Sequence, residues 1–359
     1  MNKKTYIFTF KMKSPGRDFG DYPDIISKAL LRLWGQISTH FSFFKISTVH
    51  GLLNISINWA PAMQAIQNSY QLEQFSPEQL STGKIPKELM QFEKWDKFNL
   101  RLKVTLDNLD FKSDVKKREL GEYLQNYLYH LFLISNLSAP GCFNLFNTSL
   151  KNNTFLKINN STFQLSSSSF DISWIRSIQS GWPKIKSVSL PKVLKWYNKL
   201  NLGLRQLANS RVERGLFALL HVCKGNSPPD PTDLLWLAHA LEALYDAPQS
   251  SIEKTLRNRI FLVLGSPDKD SKKVEKNIKE FYDLRSRFVH GDLPISIPDE
   301  DNELLDSRMP PYYDTLLESY DLAFSIVLAT LQKMILNNWY CINFLENYKG
   351  GSSPESVDT

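Results

Sequence analysis

The sequence predicts an α+β protein in which a mixed N-terminal part of helices and strands is followed by an all-helical bundle. Before about residue 190, several short runs alternate apolar and polar residues, which is the period of half-buried strands. After that point apolar residues recur every three or four positions, which is the period of helices, up to about residue 345. We therefore expect domains at 1–190 and 191–345, followed by a disordered tail at 346–359.

The N-terminal part carries both periods. Alternating runs at 6–12, 53–59 and 98–106 predict strands, and helical spacing at 25–37 and 115–134 predicts helices. No motif in this part has a recognisable chemistry. We expect it to have a sensing or regulatory role.

The stretch 150–187 is rich in Asn and Ser and includes a short strand-like piece at 163–165, so we place the domain boundary after it, near Pro191. Beyond the boundary, Gly203 is expected to break the first helix, and a capping-box pattern at 250–253 is expected to start the third. The predicted helices are 192–222, 232–245, 250–265, 272–289 and 311–339.

The composition excludes several classes of protein. The three cysteines, Cys142, Cys223 and Cys341, are far apart, so we expect no zinc site, no disulfide framework and no cofactor. The apolar run at 6–10 is too short for a signal peptide, and 322–336 is interrupted by polar residues. A cytoplasmic protein without a membrane segment is expected. A net charge of +6 permits a polyanionic partner, although many other proteins share it.

Arg285 lies in an unusual position on the predicted helix 272–289. At about 100° per residue, it falls in the middle of the apolar face formed by Val274, Ile278, Phe281 and Phe288. An arginine on a buried face requires a carboxylate partner or an anionic ligand, because an uncompensated buried charge costs several kcal/mol. Glu242 is the candidate partner, and a purely structural ion pair with it is one interpretation of Arg285.

His290 follows five residues later, just before Gly291, which is expected to end the helix. On a continuous helix it would lie about 140° around and about 7.5 Å along the axis from Arg285. The two side chains then share one phosphate only if His290 turns away at the helix end or if the site forms across two chains. Arginine suits phosphate binding and histidine suits proton transfer near neutral pH. The alternative is a histidine that only interacts with the last helix carbonyls.

Residues 282–291, Tyr-Asp-Leu-Arg-Ser-Arg-Phe-Val-His-Gly, resemble the signature of HEPN domains, which is Arg, four to six residues, then His. The Arg-Ser and Val-His-Gly pairings are most similar to the ApeA-like branch found in bacterial defence proteins. The Leu-Glu-Ala-Leu stretch at 241–244 and Arg259 on the preceding helices also fit. The resemblance covers about two-fifths of the chain, from about 195 to 345.

The resemblance implies a dimeric, metal-independent endoribonuclease that cleaves RNA through its own 2′-hydroxyl. Arg285 would steady the phosphate and His290 would transfer a proton, with Glu242 and Ser286 in support. Ser286 departs from the Asn, Asp or His of many catalytic members, and serine does not titrate usefully here. The implied setting is anti-phage defence or toxin action on tRNA or mRNA, with an antitoxin or a phage-derived trigger as partner.

Other interpretations stay open on the sequence alone. The domain could be a non-catalytic HEPN module that binds a nucleotide or RNA or scaffolds a complex, or it could merely dimerise an active N-terminal half. RNA backbone contacts are weakly expected from Arg259 and three lysines of the helix 272–289; the alternative for the lysines is an ordinary solvated face. These lysines are Lys272, Lys276 and Lys279.

Overall fold

A computed structural model gives the fold of the chain. It describes residues 3–12, 24–48, 51–72, 98–107, 114–152, 161–225, 230–247, 252–297 and 306–345. The predicted tail at 346–359 and the first two residues of the predicted capping box, Ser250 and Ser251, lie outside the described residues.

The N-terminal part contains an antiparallel sheet whose described strands lie in the order β2-β3-β4-β1-β5-β6. The alternating runs predicted as strands are β1, β3 and β4, so the mixed α+β class is confirmed. The strands are β1 (Lys3–Met12), β2 (Phe43–Thr48), β3 (Gly51–Ile57), β4 (Phe98–Asp107), β5 (Thr148–Asn152) and β6 (Ser161–Phe163).

Helices make up most of the rest of the described chain, and both helices predicted before residue 150 are present. The helices are α1 (Asp24–His40), α2 (Ala60–Leu72), α3 (Asp114–Ser138), α4 (Ser168–Ser180), α5 (Leu190–Lys199), α6 (Arg211–Val222), α7 (Pro231–Leu244), α8 (Ile252–Leu264), α9 (Ser271–His290) and α10 (Met309–Asn337).

The break predicted at Gly203 is present and is longer than expected, because residues 200–210 separate α5 from α6. Asn201 and Gly203 both adopt positive φ angles, 48° and 56°. Arg205 then donates hydrogen bonds to the carbonyls of Leu200 and Asn201, each at 3.0 Å. These bonds stabilise a compact turn in place of a continuous helix.

Helix α10 lies at the centre of the helical part, where α4, α5, α7, α8 and α9 all pack against it. It is long and apolar enough to be considered as a membrane span, but 83% of its most apolar window is buried inside the protein. That burial is typical of a core helix, whose apolar surface is covered by other helices rather than by lipid.

Hydrogen bonds cross the predicted boundary near Pro191. Gln332 of α10, which is 2% exposed, donates from Nε2 to the carbonyls of Leu137 (3.1 Å) and Lys186 (2.7 Å). Its Oε1 accepts from the backbone N–H of Lys186 at 3.1 Å. One side chain therefore joins the end of α3, the segment before α5 and the core helix, and the buried hydrophobic residues of both parts form one cluster.

Replacement of Gln332 tests this junction. We expect Gln332→Leu to lower the free energy of unfolding by about 2–4 kcal/mol, because it leaves buried backbone groups without partners. Urea denaturation measures the loss. The exposed Gln179→Leu on α4 is the control, with an expected change within about 0.5 kcal/mol. Equal effects of the two substitutions would show that the Gln332 hydrogen bonds do not stabilise the junction.

Candidate functional site

Helix α9 presents the two residues that the sequence singles out. Its buried side is formed by Ile278, Phe281, Tyr282 and Leu284, and Gly291, at φ 81°, ends the helix where we predicted. Arg285 lies within this arc, and its side chain is 33% exposed. Arg285 therefore reaches the margin of the core while keeping contact with solvent.

Glu242 of α7 is the carboxylate that faces Arg285, as predicted. Glu242 Oε1 lies 3.9 Å from Arg285 Nη2, and 27% of the Glu242 side chain is exposed. This separation is an ion pair but is too long for a hydrogen bond. Arg285 Nε is buried and has no hydrogen-bond partner among the described residues, and the same is true of Glu242 Oε1. The guanidinium is thus held near a carboxylate while one of its donors, Nε, has no partner among the described residues.

Tyr282 adds a buried hydroxyl to this cluster, and its Oη also lacks a hydrogen-bond partner among the described residues. Burial raises the pKa of Tyr282 strongly; the nearby charges of Glu242 and Glu253 raise it further, and Arg285 opposes them. Glu253 in turn pairs with Arg257 at 3.2 Å. Glu242, Glu253 and Arg285 therefore lie around a neutral phenol, and Arg257 balances the charge of Glu253.

His290 is the last residue of α9 and is exposed. The helix is continuous from Arg285 to His290, so the two side chains diverge by about 140° and about 7.5 Å along the axis. The structure does not bring them together within one chain. His290 makes no hydrogen bond or ion pair with the described residues. The carbonyls of Arg287 and Phe288 accept instead from backbone N–H groups of residues 291–293.

The supporting residues differ in their placement. Ser286 is half-buried on α9 next to Arg285. Arg259 is occupied: Nη1 donates to the Tyr245 carbonyl at 2.9 Å and to the Asp246 carbonyl, and its guanidinium lies 4.4 Å from the centre of the Phe344 ring. These contacts tie α8 to the C-terminal end of α7. Arg259 therefore has a structural role, whereas the sequence had weakly predicted an RNA contact. The lysines predicted on the polar face are exposed.

A cleft of about 760 Å³ between α4, α6, α7 and α10 was not predicted from the sequence. Burial raises the pKa of Asp233 to about 6. Burial also raises that of Asp321 to about 6, although Arg176 at 2.7 Å opposes the increase. Burial raises the pKa of the Cys223 thiol, which keeps it protonated. The lining residues come from distant segments without a motif, so no sequence signal pointed to this cleft.

No group of three or more His, Cys, Asp or Glu side chains that could hold a metal ion occurs among the described residues. Comparison of the chain with protein-family models, with curated proteins and with solved structures gives no match in any of the three. The resemblance to HEPN domains therefore rests on the residues of α7, α8 and α9 alone, and the site assignment stays a prediction.

The strength of the Arg285–Glu242 pair can be measured by a double-mutant cycle with alanine at each position. We expect a coupling energy below about 1 kcal/mol, because both side chains keep contact with solvent and the pair is not hydrogen-bonded. Chemical denaturation of the four proteins gives this energy. A coupling above about 2 kcal/mol would mean that Glu242 engages Arg285 fully and that Arg285 is a structural residue.

The raised pKa of Asp233 predicts a pH-dependent gain of stability in Asp233→Asn. The folded protein holds the Asp233 proton more tightly than the unfolded chain, whose carboxyl titrates near its ordinary 3.8. Ionisation of Asp233 therefore lowers the free energy of unfolding of the parent progressively as the pH rises from about 4 to about 6. We expect the variant to gain about 3 kcal/mol relative to the parent over this window and to stay level above about pH 7.

Thermal or urea unfolding at a series of pH values gives this difference. Asparagine still accepts the hydrogen bond that the Asp230 N–H makes to Asp233 Oδ2 at 3.1 Å, so the cap of α7 is kept. If the stability difference between Asp233→Asn and the parent does not change between pH 4 and 7, the pKa of Asp233 is not raised in the folded protein.

Proposed function

We propose that the chain is a HEPN-type, metal-independent endoribonuclease in which Arg285 binds the scissile phosphate and His290 transfers a proton. One observation carries this proposal. The guanidinium of Arg285 has one buried donor, Nε, without a partner among the described residues and keeps 33% of its side chain exposed, on the same helix that ends with an exposed and unpartnered His290. The resemblance of residues 282–291 to the HEPN signature supports it independently.

Arg285 is suited to an anionic ligand because of what surrounds it. Glu242 orients the guanidinium at 3.9 Å but leaves Nε without a hydrogen bond. Nε itself is buried, so a phosphate oxygen would reach Arg285 through the exposed third of its side chain and form a charge-assisted bond there. Developing negative charge on the phosphate would strengthen the same contact, which is how an arginine accelerates the reaction.

The proposed reaction uses the 2′-hydroxyl of the RNA as the nucleophile. His290 accepts the proton of that hydroxyl as its oxygen bonds to phosphorus, and the bond from phosphorus to the 5′-oxygen breaks. The 5′-oxygen takes a proton from water, and the protonated His290 gives its proton to the hydroxide that is left. The products carry a 2′,3′-cyclic phosphate and a 5′-hydroxyl. Ser286, beside Arg285, would serve as a hydrogen-bonding group to the substrate.

We propose that the site forms in a homodimer, since Arg285 and His290 diverge on one helix. A two-fold arrangement places the same surface of both copies in contact, so the His290 of one copy can approach the Arg285 of the other. Exposed apolar residues near His290 in the chain support a contact here. They are Val289, Ile295 and Ile297, which are 52%, 74% and 72% exposed.

The biological setting follows from the resemblance. We propose a cytoplasmic enzyme of anti-phage defence or toxin action that cuts tRNA or mRNA, kept inactive by an antitoxin or started by a phage-derived trigger. The exposed lysines of α9, Lys272, Lys276 and Lys279, would contact the RNA backbone, and cleavage would then weaken as salt rises.

The test is cleavage of total cellular RNA by the purified chain in excess EDTA. We expect the parent to produce fragments with cyclic phosphate ends, and Arg285→Ala and His290→Ala to lose at least about 100-fold in rate. Arg287→Ala and His239→Ala are matched controls, because both side chains are exposed and lie on α9 and α7 outside the proposed site. These controls should keep parental activity.

Mixing the two inactive variants tests the shared site. After subunit exchange about half of the dimers contain one copy of each variant, and in each of these one of the two sites has both its arginine and its histidine. About a quarter of the parental activity should return. If the mixture recovers no cleavage activity, the site does not combine Arg285 of one copy with His290 of the other. Cleavage that survives in both single variants would refute the assignment, and RNA binding without cleavage would favour a non-catalytic HEPN module.

A further inference from the structure

A second cavity lies away from α9, between strand β2, helix α3, helix α5 and the turn after α5. Its volume is about 400 Å³, which is within the range of small-molecule sites. Most of its wall is apolar. Residues that define it include Phe44, Ile46, Tyr127, His130, Tyr197 and Asn198.

Two polar groups in this cavity have no hydrogen-bond partner among the described residues. Tyr127 is 4% exposed, and its Oη is unpartnered. His130 uses Nδ1 in a 2.7 Å hydrogen bond with Tyr197 Oη, while its buried Nε2 has no well-aligned hydrogen-bond partner among the described residues, although the Gly203 backbone lies close to the imidazole. A buried polar group without a partner destabilises the fold. Both residues line the same cavity, so the groups that lack partners lie beside a space that a ligand can fill.

His130 is neutral at physiological pH. Burial lowers its pKa to about 4, although the nearby backbone of Gly203 favours the protonated form. A neutral imidazole bonded through Nδ1 offers Nε2 as either a donor or an acceptor, according to the tautomer. The lining of the cavity therefore includes two neutral hydrogen-bonding side chains, those of Tyr127 and His130.

The walls and mouth of the cavity define the rest of the ligand. The rings of Phe44 and Tyr127 lie 4.9 Å apart and form an aromatic wall. Among the described lining residues there is one cation, Lys45, and no carboxylate. The amides of Asn126, Asn198 and Asn201 complete the lining. A ligand with a flat apolar body and one negative charge matches this distribution.

We propose that this cavity is a binding site for a small aromatic or heteroaromatic acid. Its ring packs against Phe44 and Tyr127, its hydrogen-bonding groups meet Tyr127 Oη and His130 Nε2, and its anionic group meets Lys45. The site is separate from Arg285 and His290. The proposal for this cavity does not depend on the proposed RNA cleavage, because the cavity and the Arg285–His290 site share no residue.

The test uses the full chain and the fluorescent aromatic sulfonate anilinonaphthalene sulfonate as the probe. We expect saturable binding of one probe per chain. Asn198→Trp, on an exposed position of α5 that lines the cavity, should weaken binding at least 10-fold by filling the space. Lys195→Trp, exposed on the same helix and outside the cavity lining, is the matched control and should bind as the parent does.

Tyr127→Phe separates a binding role from a structural one. Removing an unpartnered buried hydroxyl should leave the fold as stable as the parent or slightly more stable. If the hydroxyl contacts the ligand, the variant should bind the probe about 3- to 10-fold more weakly. Displacement of the probe by adenosine monophosphate but not by indole-3-acetate would identify a nucleotide site, and the reverse would identify a non-nucleotide acid. Absence of saturable binding, or equal binding by the Asn198→Trp and Lys195→Trp variants, would overturn the proposal.

Discussion

Helix α10 carries polar side chains into the interior of the protein, and each of them needs a hydrogen-bond partner there. Asp321 pairs with Arg176 of α4 at 2.7 Å, and Thr330 shares a 2.6 Å hydrogen bond with Tyr245 at the end of α7. Gln332 forms hydrogen bonds with the backbone of Leu137, at the end of α3, and of Lys186, before α5. Spaced along one helix, these contacts set its rotation and its axial position, so the helices that carry the candidate site take their places around it.

Helix α9 could be predicted from the sequence nearly to the residue. Its apolar period and the glycine at 291 are local signals, and the observed range Ser271–His290 differs from the predicted 272–289 by one residue at each end. The pairing of Arg285 with Glu242 also followed from local reasoning, because a charge on an apolar face requires a partner. The sequence did not reveal in which direction the side chain of His290 points, because that depends on whether the helix continues through His290.

Tertiary contacts account for what the sequence did not reveal. Arg259 looked like a free cation, but its guanidinium is bound to the carbonyls of Tyr245 and Asp246, which only the packing of α8 against α7 brings near. Phe44, Tyr127 and Tyr197 belong to three separate elements, so no window of sequence contains their cavity. Similarly, the loop at 200–210 depends on Arg205 meeting carbonyls that exist only once the turn has formed.

The position of α10 in the chain has a consequence for synthesis. A ribosome completes α4 to α9 before it makes Met309–Asn337, so during translation these helices have no central helix to pack against. Their apolar faces stay open until the final segment emerges, and the nascent chain is then a natural client for chaperones that shield hydrophobic surface. The packed core of the helical part is consequently completed only after α10 has left the ribosome.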